Sequence, residues 1–236
     1  MKNTIILLLL TYTISTKKID SNHLKEILKQ EKIYVIDTRD IKDSEIGYIP
    51  NSILLPLTLS YDNWLPKIIP KNSAIILITH KNDHKNAIQM TRKLGYLNIF
   101  GYAYYDDWIN SKFEVKNVLN ENITIENIDN IKQKGEIILD VREEKEYIET
   151  GIIKDSQLIS LSEFKNKKKN IESVKSVHIL CKTGKRAEIA YTYLEKFGFK
   201  NTLKVLNGGI TKVIEIKYPL EKSRFQALKK ASCSIW

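Results

Sequence analysis

Six consecutive residues, Cys181-Lys182-Thr183-Gly184-Lys185-Arg186, join a thiol to three cations and a glycine. A thiolate is a strong nucleophile, and nearby positive charge favours that form over the thiol. Gly184 allows a turn with positive φ, so the backbone can curl around a bound group. The elements on either side give this run its position. Val177-His178-Ile179-Leu180 is an apolar run that reads as a short buried strand, and Ala187 to Phe197 reads as a helix ended by Gly198. The cysteine is therefore expected at a strand end, in a loop that leads into a helix N-terminus. Unpaired N–H groups and the helix dipole favour an anion there. The competing reading is a small core cysteine. Two lysines and an arginine around one glycine argue against it.

The order of elements is written twice. Asp37-Thr38-Arg39 and Asp140-Val141-Arg142 are 103 residues apart, each after a β-rich run, Lys32 to Ile36 and Glu136 to Leu139. The same offset aligns Ala74–Asn98 with Val177–Asn201 without a gap. Ile76, Leu77, Ala87, Lys93, Gly95 and Asn98 then fall on identical residues. Helical stretches are expected at Ser21 to Gln30 with Ser21 as N-cap, at His84 to Leu94, at Ile125 to Lys132, and at Glu143 to Thr150 closed by Gly151. Strands alternating with helices predict an α/β fold with largely parallel sheets. At this offset Cys181 falls on Ile78 and Arg186 on Asp83, so the first unit carries no thiol. Its expected role is to pack against the second unit and shape the mouth of the site.

The Cys-Lys-Thr-Gly-Lys-Arg run resembles the active-site loop of rhodanese-type sulfurtransferases. Asp140-Val141-Arg142 resembles that family's early Asp-x-Arg, and Leu206-Asn207-Gly208-Gly209 its late Gly-Gly segment. Gly47-Tyr48-Ile49-Pro50 resembles its Gly-His-Ile-Pro, with Tyr48 in the histidine's place. Around Gly151 the likeness weakens, since Ile152-Ile153-Lys154 stands where His-Ile-Pro is expected, and Val213 lies near the usual tryptophan. Four residues, Lys182 to Lys185, separate Cys181 from Arg186. Tyrosine-phosphatase loops place one residue more there, to wrap a tetrahedral phosphate.

The resemblance implies two tandem rhodanese-like domains, each a mainly parallel sheet flanked by helices. Residues 17–117 form the inactive unit and residues 121–223 the active one. It implies Cys181 as the catalytic residue carrying sulfur as a persulfide. Lys182, Thr183, Gly184, Lys185 and Arg186 would bind substrate, while Asp140 and Arg142 support the site. A small anionic donor such as thiosulfate or a polysulfide, and a protein or small-thiol acceptor, are the expected partners. No metal or organic cofactor is implied. A sulfur-carrier or binding module, a thiol-redox protein and a phosphatase are the alternatives.

The chain has 236 residues, is 42% hydrophobic and carries a formal charge of +10. That is enough apolar content for packed cores and excludes a disordered chain. The lysines are scattered among acids with no basic stripe interleaved with aromatics, so nucleic acid is not expected as a partner. Residues 1–16 read as a signal peptide or N-terminal anchor. Lys2 is followed by the mostly apolar Thr4–Ile14, with small residues at Thr13 and Ser15. This run is short for a membrane span. It predicts a periplasmic or otherwise exported protein, attached to a membrane only if the segment stays uncleaved. Cys233, in the C-terminal tail 224–236, is the one other cysteine and a candidate resolving thiol. His80 and His84 are read as solvated loop residues rather than metal ligands. Tyr102, Tyr104, Tyr105 and Trp108 are read as packing between domains. Lys165 and Lys167-Lys168-Lys169 are read as a solvated loop.

Overall fold

A computed structural model describes residues 16–30, 32–167, 171, 176–199 and 202–222. The apolar leader up to residue 15, Lys168-Lys169 and the tail with Cys233 lie outside the described residues. Among those described, no helix is long and apolar enough to cross a membrane.

The first unit runs β1 (Lys17–Lys18), α1 (Ser21–Ile27), β2 (Ile33–Asp37), β3 (Ile53–Leu54), α2 (Tyr61–Ile68), β4 (Ala74–Thr79), α3 (His84–Lys93), β5 (Ile99–Tyr104) and α4 (Tyr105–Asn110). The second runs β6 (Asn120–Asn122), α5 (Ile125–Gln133), β7 (Ile137–Asp140), α6 (Glu144–Thr150), β8 (Ile152–Ile153), β9 (Gln157–Leu158), α7 (Phe164–Lys167), β10 (Ser176–Leu180), α8 (Lys185–Lys196), β11 (Thr202–Asn207), α9 (Gly209–Glu215) and β12 (Leu220–Glu221). Each unit holds a five-stranded sheet, β1-β5-β4-β2-β3 and β6-β11-β10-β7-β9, and every pairing within them is parallel. Strands β8 and β12 form a small antiparallel pair.

Both sheets are covered on both faces, as parallel sheets require. One face of the first sheet packs Ile76, Ile78 and Ala103 against Leu24 of α1 and Trp108 of α4. The corresponding face of the second packs Ile138, Leu180 and Leu206 against Ile128 and Ile131 of α5 and Val213 of α9. The remaining faces, with Ile75 and Leu77 on one side and Val177, Ile179 and Cys181 on the other, share a single core spanning the two units. Helix α8 lies in that core and is buried over most of its length.

First-unit residues hold α8 by several contacts. The Leu54 backbone N–H donates to Thr192 Oγ1 (3.0 Å), and Lys196 Nζ to the Gln30 carbonyl (3.2 Å). Tyr48 Oη donates to Glu195 Oε2 (2.5 Å), and Lys116 Nζ to Glu195 Oε1 (2.6 Å). Burial and the Glu195 charge together push the Tyr48 hydroxyl far above the ordinary tyrosine range. Tyr48 thus spends its hydroxyl on joining the units.

Local expectations change in four places. Asp20, not Ser21, caps α1, accepting from the His23 N–H (2.9 Å), while Ser21 is buried. Tyr105 and Trp108 pack inside the first unit rather than between units, and Trp108 Nε1 donates to the Glu114 carbonyl (2.9 Å). Helix α8 begins two residues earlier than expected, with Gly184 as N-cap, so Lys185 and Arg186 form its first turn.

The fourth change concerns the internal repeat. Asp37 pairs with Ile78, but Asp140 pairs with Leu180. The Ile78 carbonyl accepts from the Thr38 N–H as the Leu180 carbonyl accepts from that of Val141. Strands β4 and β10 therefore align at an offset of 102, whereas β2 with β7 and the helix ends align at 103, Gly95 donating to Arg92 as Gly198 does to Glu195. Thr79, not Ile78, occupies the position of Cys181. Facing agrees, since Ile78 and Leu180 point to the outer cores. Runs of Ile and Leu match in any register, which hid the slip.

Candidate active site

Alternation along β10 turns Cys181 to the face carrying Val177 and Ile179, so the thiol faces the shared core rather than solvent. It is 1% exposed and is a free cysteine. The chain leaves the strand, bends at Gly184 (φ +102°) and enters the twelve-residue α8. That bend aims the Gly184 N–H at Cys181 Sγ, 3.1 Å away. A residue with Cβ would be strained at this φ.

The Gly208-Gly209 segment buttresses the loop from behind. The Ile210 N–H donates to the Cys181 carbonyl (2.8 Å), and both the N–H and the hydroxyl of Thr211 donate to the Lys182 carbonyl (3.2 and 2.9 Å). A Cβ on Gly209 would collide with the Cys181 carbonyl oxygen and stand 2.6 Å from the Lys182 carbonyl carbon. The approach of α9 to the loop therefore depends on a bare backbone.

Asp140 and Arg142 form a fully buried ion pair at 2.6 Å. Arg142 also donates to Thr150 Oγ1 (2.6 Å) and to the Gly151 carbonyl (2.8 Å). Burial pushes the Asp140 carboxyl up, against the pull of its arginine partner. The pair ties the end of β7 to the end of α6. Asp37 and Arg39 repeat the arrangement, buried at 2.6 Å, with Arg39 donating to the Gly47 carbonyl (3.0 Å) and stacked 3.3 Å over Tyr105.

Arg186 is engaged by a residue that the sequence pattern did not single out. Glu146 of α6 accepts from Arg186 Nη1 (2.5 Å) and Nη2 (2.7 Å), a bidentate pair. The same carboxylate accepts from the Glu143 N–H (2.9 Å) at the start of α6. Burial works against the Arg186 charge, but Glu146 and the nearby Cys181 sulfur hold it above its ordinary value. Burial likewise opposes the Glu146 charge, yet Arg186 and the Glu143 N–H hold that carboxyl below the usual glutamate value.

A cleft of about 680 Å³ opens beside the loop. It is lined by Lys182 and Arg186, by Glu143 at the N-cap of α6 with Glu144, Lys145, Glu146 and Glu149 along that helix, and by Trp64 and Lys67 of α2. The first unit thus supplies part of the mouth. Arg186 lies 5.9 Å from the Trp64 ring centroid. Thr183 and Lys185 are exposed and stand outside the lining. No local signal marked Trp64 or Lys67, because only the packing of α2 against the second unit brings them there. Spacing after Asp140-x-Arg142 places Glu143 and Glu146 on one face of α6, a signal that was available.

The corresponding corner of the first unit is built differently. Thr79 is buried, and among the described residues its hydroxyl has no hydrogen-bond partner. His80 Nε2 meets Asp43 Oδ2 (3.0 Å), and the His84 ring stacks on Tyr102 with centroids 4.5 Å apart.

The family model for the rhodanese-like domain matches the chain twice, over residues 20–107 and 124–215. The chain belongs to the rhodanese-like domain family. Its fold is that of two tandem rhodanese-like units. No match was found among curated proteins. Among solved structures, a thiosulfate sulfurtransferase from Pseudomonas aeruginosa is 16% identical, covers 87% of this chain and gives a TM-score of 0.37. This chain spans 43% of that one. A protein of unknown function from Rhodopseudomonas palustris, described as a possible tyrosine phosphatase, is 18% identical over 49% of this chain and 89% of its own, with a TM-score of 0.39. A rhodanese-related protein from Thermoplasma volcanium is 28% identical over 44% of this chain and 99% of its own, with a TM-score of 0.38. In this rhodanese-like chain the second unit holds the thiol and its loop, and the first supplies α2 and the clamp on α8.

Proposed function

We propose that the protein is a sulfurtransferase that carries sulfane sulfur on Cys181. Membership of the rhodanese-like family supports sulfur-transfer chemistry in general. The observation that carries the finer reading is the Gly184 N–H directed at Cys181 Sγ, at the N-terminus of α8. A donated N–H and a helix dipole stabilise negative charge on sulfur, whether as thiolate or as persulfide.

In the first step the Cys181 thiolate attacks the outer sulfur of a small anionic donor. With thiosulfate, the S–S bond of the donor breaks, sulfite leaves with the bond pair, and Cys181 keeps one sulfur as a persulfide anion. In the second step a thiophilic acceptor, a small thiol or a protein thiol, attacks that outer sulfur and Cys181 leaves as thiolate. No electrons enter or leave the pair of steps. Such two-step covalent catalysis gives ping-pong kinetics. In this reading the exposed cations Lys182 and Lys185 draw an anion toward the loop and Thr183 offers it a hydroxyl, whereas Arg186 acts with Glu146 to hold the first turn of α8 in place. An exported location, from the apolar leader, belongs to the same reading, and N-terminal sequencing of the mature protein tests it.

The deciding experiment is intact mass spectrometry after incubation with thiosulfate or polysulfide under non-reducing conditions. The reading expects a gain of one sulfur, released by cyanide and absent in Cys181→Ser. A protein whose thiol is alkylated readily but takes sulfur from no donor refutes it.

A further inference from the structure

His178 interrupts the apolar run of β10 and is 1% exposed. Alternation along the strand turns it to the face of Leu180, at the end of the layer in which Ile138, Leu180 and Leu206 pack against α5 and α9. A polar ring buried there needs partners for what it gives up to water. Both of its nitrogens have one. Nδ1 lies 2.6 Å from Glu121 Oε2 of β6, and Nε2 lies 2.7 Å from Glu136 Oε2, one residue before β7. A carboxylate accepts hydrogen bonds and donates none, and a neutral imidazole has one N–H to donate. A neutral ring would therefore face one of the two carboxylates with a bare lone pair. A doubly protonated ring donates to both.

The charges around the ring lead to the same count. Lys204 of β11 donates to the second oxygen of Glu121 (3.3 Å). Lys132 of α5 lines a groove with Glu136 but reaches Asp155 (3.8 Å), and Lys154 in the same groove reaches Glu221 (3.7 Å). Asp129 of α5 accepts from the Tyr218 hydroxyl (2.7 Å), and α9 presents Ile210 and Val213 to this layer. With His178 charged, Glu121, Glu136, His178 and Lys204 sum to zero. With it neutral, one negative charge is left over where the two glutamates are only 22% and 24% exposed.

We propose that His178 is an imidazolium in the folded protein, and that the Glu121–His178–Glu136 triad is a pH-sensitive clamp. It joins β6, the first strand after the junction between the units, to the start of β7 and to β10, the strand that ends beside Cys181. The inference stands apart from the sulfurtransferase reading, because none of the three residues lines the cleft or belongs to the thiol loop. In the unfolded chain the ring is an ordinary histidine, half protonated at about pH 6.5. In the folded chain two carboxylates hold the proton. Above that pH the folded protein binds more protons than the unfolded chain, so its stability falls as pH rises. When the proton passes to water, one carboxylate loses its donor and two negative charges stand across an uncharged ring.

The test has two readings. The first is nitrogen-15 NMR of the histidine rings of the wild-type protein from pH 6 to pH 10, with the His178 ring assigned by through-bond correlation to its own backbone. At pH 8 both ring nitrogens of His178 are expected to carry hydrogen. A ring with one bare nitrogen at pH 8 overturns the inference. The second is urea denaturation over the same range, comparing the wild type with Glu136→Gln. A glutamine amide donates to a bare Nε2, so a neutral ring is satisfied in the variant and the extra proton is not needed. Relative to the variant, the unfolding constant of the wild type is expected to rise about tenfold across the step in which the NMR shows the proton leaving, the size of one hydrogen bond to a charged partner. A ratio of the two constants that stays within about twofold across that step overturns the clamp, whatever the charge of the ring. Both readings use protein that has met no sulfur donor, so neither outcome bears on the sulfurtransferase reading.

Discussion

Replacing Gly209 by alanine tests whether the Gly208-Gly209 segment positions the thiol loop. The new Cβ would overlap the Cys181 carbonyl oxygen and lie 2.6 Å and 2.7 Å from the carbon and oxygen of the Lys182 carbonyl. Restoring ordinary contact needs a displacement of roughly 1 Å between α9 and the loop. Three hydrogen bonds cross that gap, from the Ile210 N–H, the Thr211 N–H and the Thr211 hydroxyl. Each contributes about 1 kcal/mol. Gly209 also has φ +58°, where alanine costs about 1 kcal/mol more than glycine. The substitution should therefore destabilise the protein by about 2–4 kcal/mol. It should also slow sulfur loading of Cys181 by about a hundredfold, the usual effect of displacing a reacting group by this much. Gly135→Ala is the control. Gly135 has a similar φ of +64°, but a Cβ there meets nothing within 4 Å. It should cost about 1 kcal/mol and leave loading unchanged. Urea denaturation gives the stabilities. Intact mass against time gives loading, and alkylation of Cys181 in a Cys233→Ser background reports the loop independently. The reasoning is refuted if Gly209→Ala loses no more stability than Gly135→Ala and its Cys181 reacts at the wild-type rate.

Glu146→Gln should flatten the acid limb of stability. Its carboxyl is held below the ordinary value of 4.5 in the folded state, so its contribution is complete above that value and is lost as pH falls through the lower, folded one. Urea denaturation between pH 6 and pH 3 should show a smaller loss in the variant than in the wild type. Tyr48→Phe removes the donor to Glu195 and should cost about 1–3 kcal/mol. Amide exchange should rise at β3 and α8 together, and a rise confined to β3 would show that the contact does not couple the units. Thr79→Cys, in a Cys181→Ser background, should take up no sulfur from thiosulfate by intact mass. The loop that follows it, His80-Lys81-Asn82-Asp83, has no glycine to turn an N–H toward the sulfur.

Much was legible in the chain because the deciding signals were local. Strand, loop and helix around Cys181 follow from an apolar run, a glycine and a helical stretch, each within a dozen residues. Asp140-x-Arg142 carried its partner two residues away, so its ion pair needed no distant contact. The repeat fixed the presence of two units, but the composition of β4 and β10 concealed a one-residue slip. A similar blind spot covered His178, which sat within an apolar run. The fold places its imidazole between Glu121 (2.6 Å) and Glu136 (2.7 Å), 57 and 42 residues away in sequence.

The sequence by itself determined the parallel α/β architecture, the duplication, the thiol and the glycines that let its loop form. These depend on periodicity and on backbone conformations that particular residue types allow. Tertiary structure alone decided that Thr79 takes the place of Cys181 in the first unit, that Glu146 holds Arg186, and that Trp64 and Lys67 complete the cleft. Each depends on contacts between elements 40 residues or more apart in sequence, and such contacts leave no local pattern along the chain. The bridging helix α8 shows the division most clearly. Its sequence specifies a helix, while its burial on nearly every side comes from two units closing around it.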